Sequence, residues 1–164
     1  MVSKLATSII ELGTELGVSL AVAESLTGGR LADALVSVPG ASNVFRGGAV
    51  TYAVDTKAGV LGVDAQRLTE RGPVDPLVAQ QMARGVAQLY DADIAVSTTG
   101  VAGPGAADGF AAGTVWIGWF NRFGSVGARL FRFDGDRETV RSATVEKSLE
   151  RLFVEISRIS GESR

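Results

Sequence analysis

Three short polar segments hold the side chains of this chain that are able to do chemistry. The first is Glu24-Ser25-Leu26-Thr27-Gly28-Gly29, the second runs from Gly48 through Thr51 and Tyr52 to Lys57, and the third is Ser97-Thr98-Thr99-Gly100-Val101-Ala102-Gly103-Pro104-Gly105. The chain has no histidine and no cysteine. That excludes Ser-His-Asp and Cys-His catalysis, and with them thiolate and imidazole metal sites. An active site here must draw on Ser, Thr, Tyr, Lys, Arg, Asp or Glu. A serine hydroxyl is a weak nucleophile until a base takes its proton. With imidazole absent, Lys57 is a candidate base for Ser25. An amine with an ordinary pKa of ~10.4 has to be desolvated, or placed near positive charge, to act as a base near neutral pH. Tyr52 and the glycine loops are the groups expected to bury it. Gly28 and Gly29 let backbone approach a ligand, and free N–H groups at a helix start favour an anion or a developing oxyanion.

Each of these residues also has a purely local role open to it. Ser25 or Thr27 before a helix is a common N-cap. Lys57 suits a solvated helix face. Tyr52 suits a core aromatic with its hydroxyl at the rim. Thr98 and Thr99 suit a strand and its turn. The third segment reads G-x-x-G-x-G. It has neither the order of a dinucleotide fingerprint nor the G-K-[ST] of a P-loop.

The elements that must position these segments follow from hydrophobic spacing. A helix is predicted over 2–16, with Leu5, Ile9, Leu12 and Leu16 on one face and Gly17 as its stop. Strands are predicted over 18–23, 47–53 and 92–98, each ending at one of the polar segments. Helices follow the first two, to about Val38 and over 55–61. A further helix starts at Asp75 as N-cap and Pro76 at its first position, turning Val78, Met82, Val86 and Leu89 inward. The stretch from Thr99 to Gly113 is a long glycine-rich loop, and loops of that length are usually functional or disordered. Strands over 114–120 and 125–133 form a hairpin through Asn121–Gly124. Asp134-Gly135-Asp136 starts a last helix burying Val145, Leu149, Leu152, Phe153 and Ile156. Helix–strand alternation ending in a hairpin implies an α/β domain with a mixed sheet. If the first three strands are parallel and adjacent, the three polar segments meet at one edge of that sheet.

Composition supports one globular domain over 1–164: 46% of the residues are hydrophobic, 21% are charged and the net charge is -2. No basic run provides a nucleic-acid footprint. No apolar h-region follows Met1, and no stretch reaches the ~18 apolar residues of a membrane span, so a cytoplasmic location without membrane contact is expected.

The three segments, in order and at these spacings, resemble the CinA C-terminal domain family. The likeness extends over nearly the whole chain, including Gly72-Pro73-Val74, Gly113-Thr114-Val115 and Gly135-Asp136-Arg137 with Arg141. It implies a three-layer α/β/α sandwich with a mixed β-sheet, here without the companion N-terminal domain of full-length CinA proteins. It also implies hydrolysis of the carboxamide of nicotinamide mononucleotide to nicotinate mononucleotide and ammonia. The ligand is then a small pyridine nucleotide, with no cofactor and no metal. By motif match Ser25 is the nucleophile and Lys57 its general base, with Tyr52 and Thr99 as supporting catalytic hydroxyls. Glu24, Thr27, Gly28 and Gly29, and Gly100, Ala102, Gly103 and Gly105 of the third segment, are the implied substrate contacts. The backbone of Gly28 and Gly29, or that of the Gly100–Gly105 loop, is expected to hold the oxyanion or phosphate. Arg137 and Arg141 are phosphate candidates, or solvated helix charges. The second motif of the family commonly reads Tyr-Ser-Asn-Glu-Ala-Lys, whereas here Val54 and Asp55 stand at the Asn and Glu positions. Two other readings remain: a non-catalytic nucleotide-binding or regulatory module on the same fold, and an interaction module pairing two copies into a homodimer through Trp116, Trp119 and the strand edge.

Overall fold

The computed structural model describes residues 1–162; residues 163 and 164 of the expected domain lie outside them. In chain order the elements are α1 (Lys4–Leu16), β1 (Leu20–Glu24), α2 (Arg30–Val36), β2 (Phe45–Val50), α3 (Val54–Leu61), α4 (Ala65–Arg71), α5 (Pro76–Tyr90), β3 (Ile94–Gly100), β4 (Thr114–Asn121), β5 (Ser125–Arg132) and α6 (Arg137–Glu162). Local chemistry sets many of their ends. The Ser3 hydroxyl accepts from the Ala6 amide to open α1, and Gly17 closes it in the left-handed region at φ 65°. The Asp75 carboxylate accepts from the Leu77 and Val78 amides, with Pro76 opening α5 as expected.

The sheet order is β2-β1-β3-β4-β5. β1 runs parallel to both β2 and β3, and the β3–β4 and β4–β5 pairs are antiparallel. Alternation along the strands divides the core. Leu20, Val22, Ile94 and Val96 meet α1, α2 and α6 on one face. Ala21, Ala23 and Ala95 meet Leu61, Leu68, Val78, Met82 and Val86 from α3, α4 and α5 on the other. The result is the three-layer α/β/α sandwich with a mixed sheet. Among the described residues no helix is long and apolar enough to cross a membrane.

Several boundaries differ from the sequence reading. α4 was not anticipated: its cap, Asp64, is clear in retrospect, but the helix buries a single residue, Leu68, and shows no periodicity to read. β2 ends at Val50, so Thr51–Ala53 is a connection outside the strand. Leu89 and Phe153, expected inside, are 50% and 36% exposed. Val78, Met82 and Val86 with Ala79, Ala83 and Ala87 fill the α5 face that meets the sheet, and Leu89 lies in the helix's last turn. Trp116 and Trp119 stand three residues apart on β4, which puts them on opposite faces of the strand. Trp119 packs on the α6 side under the Arg151 guanidinium, and Trp116 lines a hollow beside Phe110. The two indoles therefore make no single pairing surface.

One close approach ties the core to the chemistry. A Cβ built on Gly85 of α5 would lie 1.9 Å from the Leu61 carbonyl at the end of α3. Gly85→Ala is favoured by helix propensity, yet it forces α3 away from α5. A loss of about 1–3 kcal/mol is expected, read as a melting temperature lower by roughly 3–9 °C. Activity should fall too, because Lys57 is one turn upstream of Leu61 on α3.

Candidate active site

The parallel β2-β1-β3 arrangement brings the C-terminal ends of the three strands together. Register pairs Glu24 with Val50 and Ala23 with Ser97. The residues just beyond are therefore neighbours. The Ser25 amide donates to the Thr98 carbonyl at 3.1 Å, and the Thr51 amide donates to the Glu24 carbonyl at 3.0 Å. Chain order moves from β1 outward to β2, then back across β1 to β3. This reversal is where open α/β sheets hold their ligands.

A cavity of ≈ 380 Å³ opens at this edge, within the range of about 300–1,000 Å³ typical of small-molecule sites. Ser25 and Lys57 line it together with Tyr52 and Val54. The opposite wall is Pro73, Val74, Thr99 and the stretch from Gly100 to Gly105. Ala107, Asp108 and Arg137 complete the lining.

Lys57 is 1% exposed. Its amine donates to Ser25 Oγ at 3.2 Å and to the Thr51 carbonyl at 2.5 Å. Burial lowers its pKa from the ordinary 10.5 to about 8, against the opposing pull of the Asp108 carboxylate. Lys57 and Leu61 are four residues apart on α3 and both point inward. The desolvation comes from that placement beneath the strand ends. Tyr52, expected to cover the amine, is 62% exposed and stands at the rim, because β2 ends before it.

The Ser25 turn is fastened from three sides. Its amide also lies 3.3 Å from Thr98 Oγ1, which shares a hydrogen bond of 2.8 Å with Thr27 Oγ1. The Glu24 carboxylate accepts from the Leu31 and Ala32 amides at 2.9 and 3.1 Å. The Arg141 guanidinium donates to the Leu26 and Thr27 carbonyls at 2.8 and 3.3 Å.

These contacts revise part of the sequence reading. Glu24, Thr27, Gly28, Gly29 and Arg141 hold the turn and do not line the cavity. At the start of α2 the Leu31 and Ala32 amides, expected to receive an anion, are taken by Glu24, and the Arg30 amide donates to the Thr27 carbonyl. Gly28 spends its amide on the Ser25 carbonyl. Arg141 faces turn carbonyls, whereas Arg137, one helical turn earlier, faces the cavity. There it donates to the Gly103 carbonyl at 2.7 Å and reaches the Tyr52 hydroxyl at 3.4 Å. Thr99 lies in the wall and donates to the Pro73 carbonyl at 2.7 Å. Gly100, Ala102, Gly103 and Gly105 are in the wall as well. Val54 lines the cavity at 42% exposed, so the departure from the resembled motif falls on the site itself. Pro73, Val74 and Asp108 were not singled out as site residues. Pro73 carries no reactive group, and neither Val74 nor Asp108 lies at a strand end.

A buried, partly deprotonated amine within hydrogen-bond reach of a serine hydroxyl is an arrangement that can form and break an acyl-serine bond. Residues 2–156 match the CinA C-terminal domain family. A putative competence-damage inducible protein of Pediococcus pentosaceus is 46% identical over 128 residues, covering 78% of this chain and 31% of that protein. A CinA-like protein of Geobacter metallireducens is 42% identical over 147 residues, covering 89% and 35%. The chain thus spans about a third of the length of these relatives. Among solved structures, a competence/damage inducible protein from Agrobacterium tumefaciens superposes with a TM-score of 0.88 at 40% identity, covering 92% of this chain and 93% of that one. A CinA superfamily protein from Klebsiella pneumoniae superposes at 0.89 with 35% identity, covering 94% and 97%.

Proposed function

The chain belongs to the CinA C-terminal domain family, and on that footing we propose that it is an amidohydrolase that converts nicotinamide mononucleotide to nicotinate mononucleotide and ammonia. The observation that carries this reading is the buried Lys57 amine 3.2 Å from Ser25 Oγ inside a ligand-sized cavity.

The neutral Lys57 amine keeps one N–H on the Thr51 carbonyl, which leaves its lone pair for the Ser25 proton. Ser25 Oγ attacks the carboxamide carbon, and the carbonyl π electrons move onto oxygen. The tetrahedral intermediate collapses as the Lys57 ammonium hands its proton to the departing nitrogen, and ammonia leaves. Water then attacks the acyl-serine ester, giving its proton to Lys57. Collapse returns that proton from Lys57 to Ser25 and frees the carboxylic acid, which loses its own proton to water to give the carboxylate product. Arg137 at the rim suits the phosphate, and the Gly100–Gly105 wall supplies backbone close to the reacting carbonyl.

The test is ammonia release from nicotinamide mononucleotide across pH. The active form of Lys57 is the neutral amine and its pKa is about 8. The expected kcat/KM therefore rises about tenfold per pH unit below 8 and levels off above it. A rate independent of pH between 6 and 9 contradicts Lys57 as the base. Tight nucleotide binding with no ammonia at any pH would favour a non-catalytic module, for which Val54 on the cavity wall is the relevant departure.

A further inference from the structure

Asp108 is the only acidic side chain lining the cavity, among the described residues. No hydrogen bond or ion pair engages its carboxylate. Three other carboxylates around the site are engaged. Glu24 caps α2, Asp75 holds Arg67 while capping α5, and Asp136 binds the Thr139 amide and hydroxyl. Asp108 is instead presented by backbone. Ala107 and Phe110 exchange two hydrogen bonds of 3.0 and 2.9 Å, and Asp108 and Gly109 form the two-residue turn between them at φ 52° and 82°. Both central residues at positive φ is the turn that Asp-Gly and Asn-Gly both favour. Its tip lies between the cavity and a second hollow bordered by Arg71 and Trp116, so the carboxylate is accessible from both sides.

The charges that face the buried Lys57 amine are this carboxylate from the 101–113 loop and the Arg137 guanidinium from α6, with the Tyr52 hydroxyl from the β2–α3 connection. In the empty site Asp108 favours the Lys57 ammonium, which opposes the base role. A ligand carrying its own positive charge removes that opposition. It pairs with the carboxylate, and its charge disfavours a second cation beside it. A neutral ligand does neither.

We propose that Asp108 is the specificity residue that selects a cationic aromatic ring, so that the site takes amides on a pyridinium and discriminates against the same amide on an uncharged ring. This rests on the amidohydrolase reading and deepens it. The ring nitrogen of nicotinamide mononucleotide is quaternary and positively charged. Its reduced, dihydropyridine form has the same carboxamide, ribose and phosphate with no ring charge.

The experiment compares the two forms in the wild-type protein and in Asp108→Asn, which preserves the turn and removes the charge. Because the reduced carboxamide is also intrinsically less electrophilic, the informative quantity is the change in the kcat/KM ratio between proteins. The expected result is a fall of about tenfold in the preference for the oxidised form, with the reduced form holding or gaining activity as the opposition to the neutral Lys57 amine is lifted. An unchanged ratio overturns the proposal. Calorimetric binding of both forms reads the same preference without turnover. If neither form yields ammonia, the amidohydrolase reading fails, while a wild-type binding preference that Asp108→Asn abolishes still supports Asp108. Equal binding of both ring forms by the wild-type protein overturns it.

Discussion

Ser25→Ala is expected to lower kcat for ammonia release by at least about 10³-fold while leaving the dissociation constant for nicotinamide mononucleotide nearly unchanged. Removing a nucleophile abolishes the covalent route and leaves only what positioning and polarisation achieve on water. Ser25 is 8% exposed and loses a single atom, so the cavity keeps its shape. The turn is held by the Ser25 amide, Glu24 and Arg141, none of which depends on the missing hydroxyl. Stability should therefore change by no more than about 1 kcal/mol. Steady-state ammonia release with calorimetry on the same sample checks both halves. Activity above a tenth of wild type would show that Lys57 activates water directly and that no acyl-serine forms.

Lys57→Met should also abolish activity but, unlike Ser25→Ala, stabilise the fold. Burial moves the amine from 10.5 to about 8, so the folded protein holds an ammonium it disfavours. At 1.36 kcal/mol per pH unit this costs on the order of 3 kcal/mol at pH 7. Methionine has similar length and no charge. The Thr51 carbonyl loses its donor, which takes back about 1 kcal/mol. A net gain of roughly 2 kcal/mol, or about 4–8 °C in melting temperature, is expected. The advantage has a defined pH window. Below pH 8 both the folded and unfolded wild-type chains carry the proton, and the full penalty is present. Between 8 and 10.5 the folded chain releases it first, so wild-type stability rises with pH relative to the variant. Above 10.5 the charge penalty is gone. Denaturant titrations of both proteins at pH 7 and pH 10 measure the closing gap. A destabilised Lys57→Met at pH 7 would show that the Lys57 contacts to Ser25 and Thr51 outweigh its desolvation. Such a trade of stability for function is expected where a catalytic group is held in a disfavoured charge state.

Particular residues mark how far the sequence could be read. The Asp75-Pro76 helix start, the Gly17 stop and the Ile94/Val96 face were legible, because caps and alternation are local physics. α4 was not, because one buried leucine in seven residues leaves no pattern. Arg137 and Arg141 looked equivalent as helix cations. Which one reaches the cavity depends on where α6 lies over the turn, and that is a matter of packing. Glu24 read as a ligand contact because it falls within the first motif of the family resemblance. The actual partners, the Leu31 and Ala32 amides, are orphan donors of a helix start that any nearby acid can satisfy.

What the sequence determined by itself was the chemical inventory. With no histidine or cysteine, any nucleophile or base had to come from Ser, Thr, Tyr, Lys, Arg, Asp or Glu, and Ser25 and Lys57 were candidates among them. It also determined the alternation of helices and strands that makes an α/β sandwich. Only the tertiary structure decided that β1 lies between β2 and β3 with all three parallel, which brings Ser25, Thr51 and Thr98 side by side. Only the tertiary structure decided that Lys57 faces inward, loses its water and has its pKa brought to about 8. The reason is physical. Hydrogen-bond geometry and side-chain type are carried by a few neighbouring residues, whereas desolvation and reach across the sheet belong to the whole packed chain.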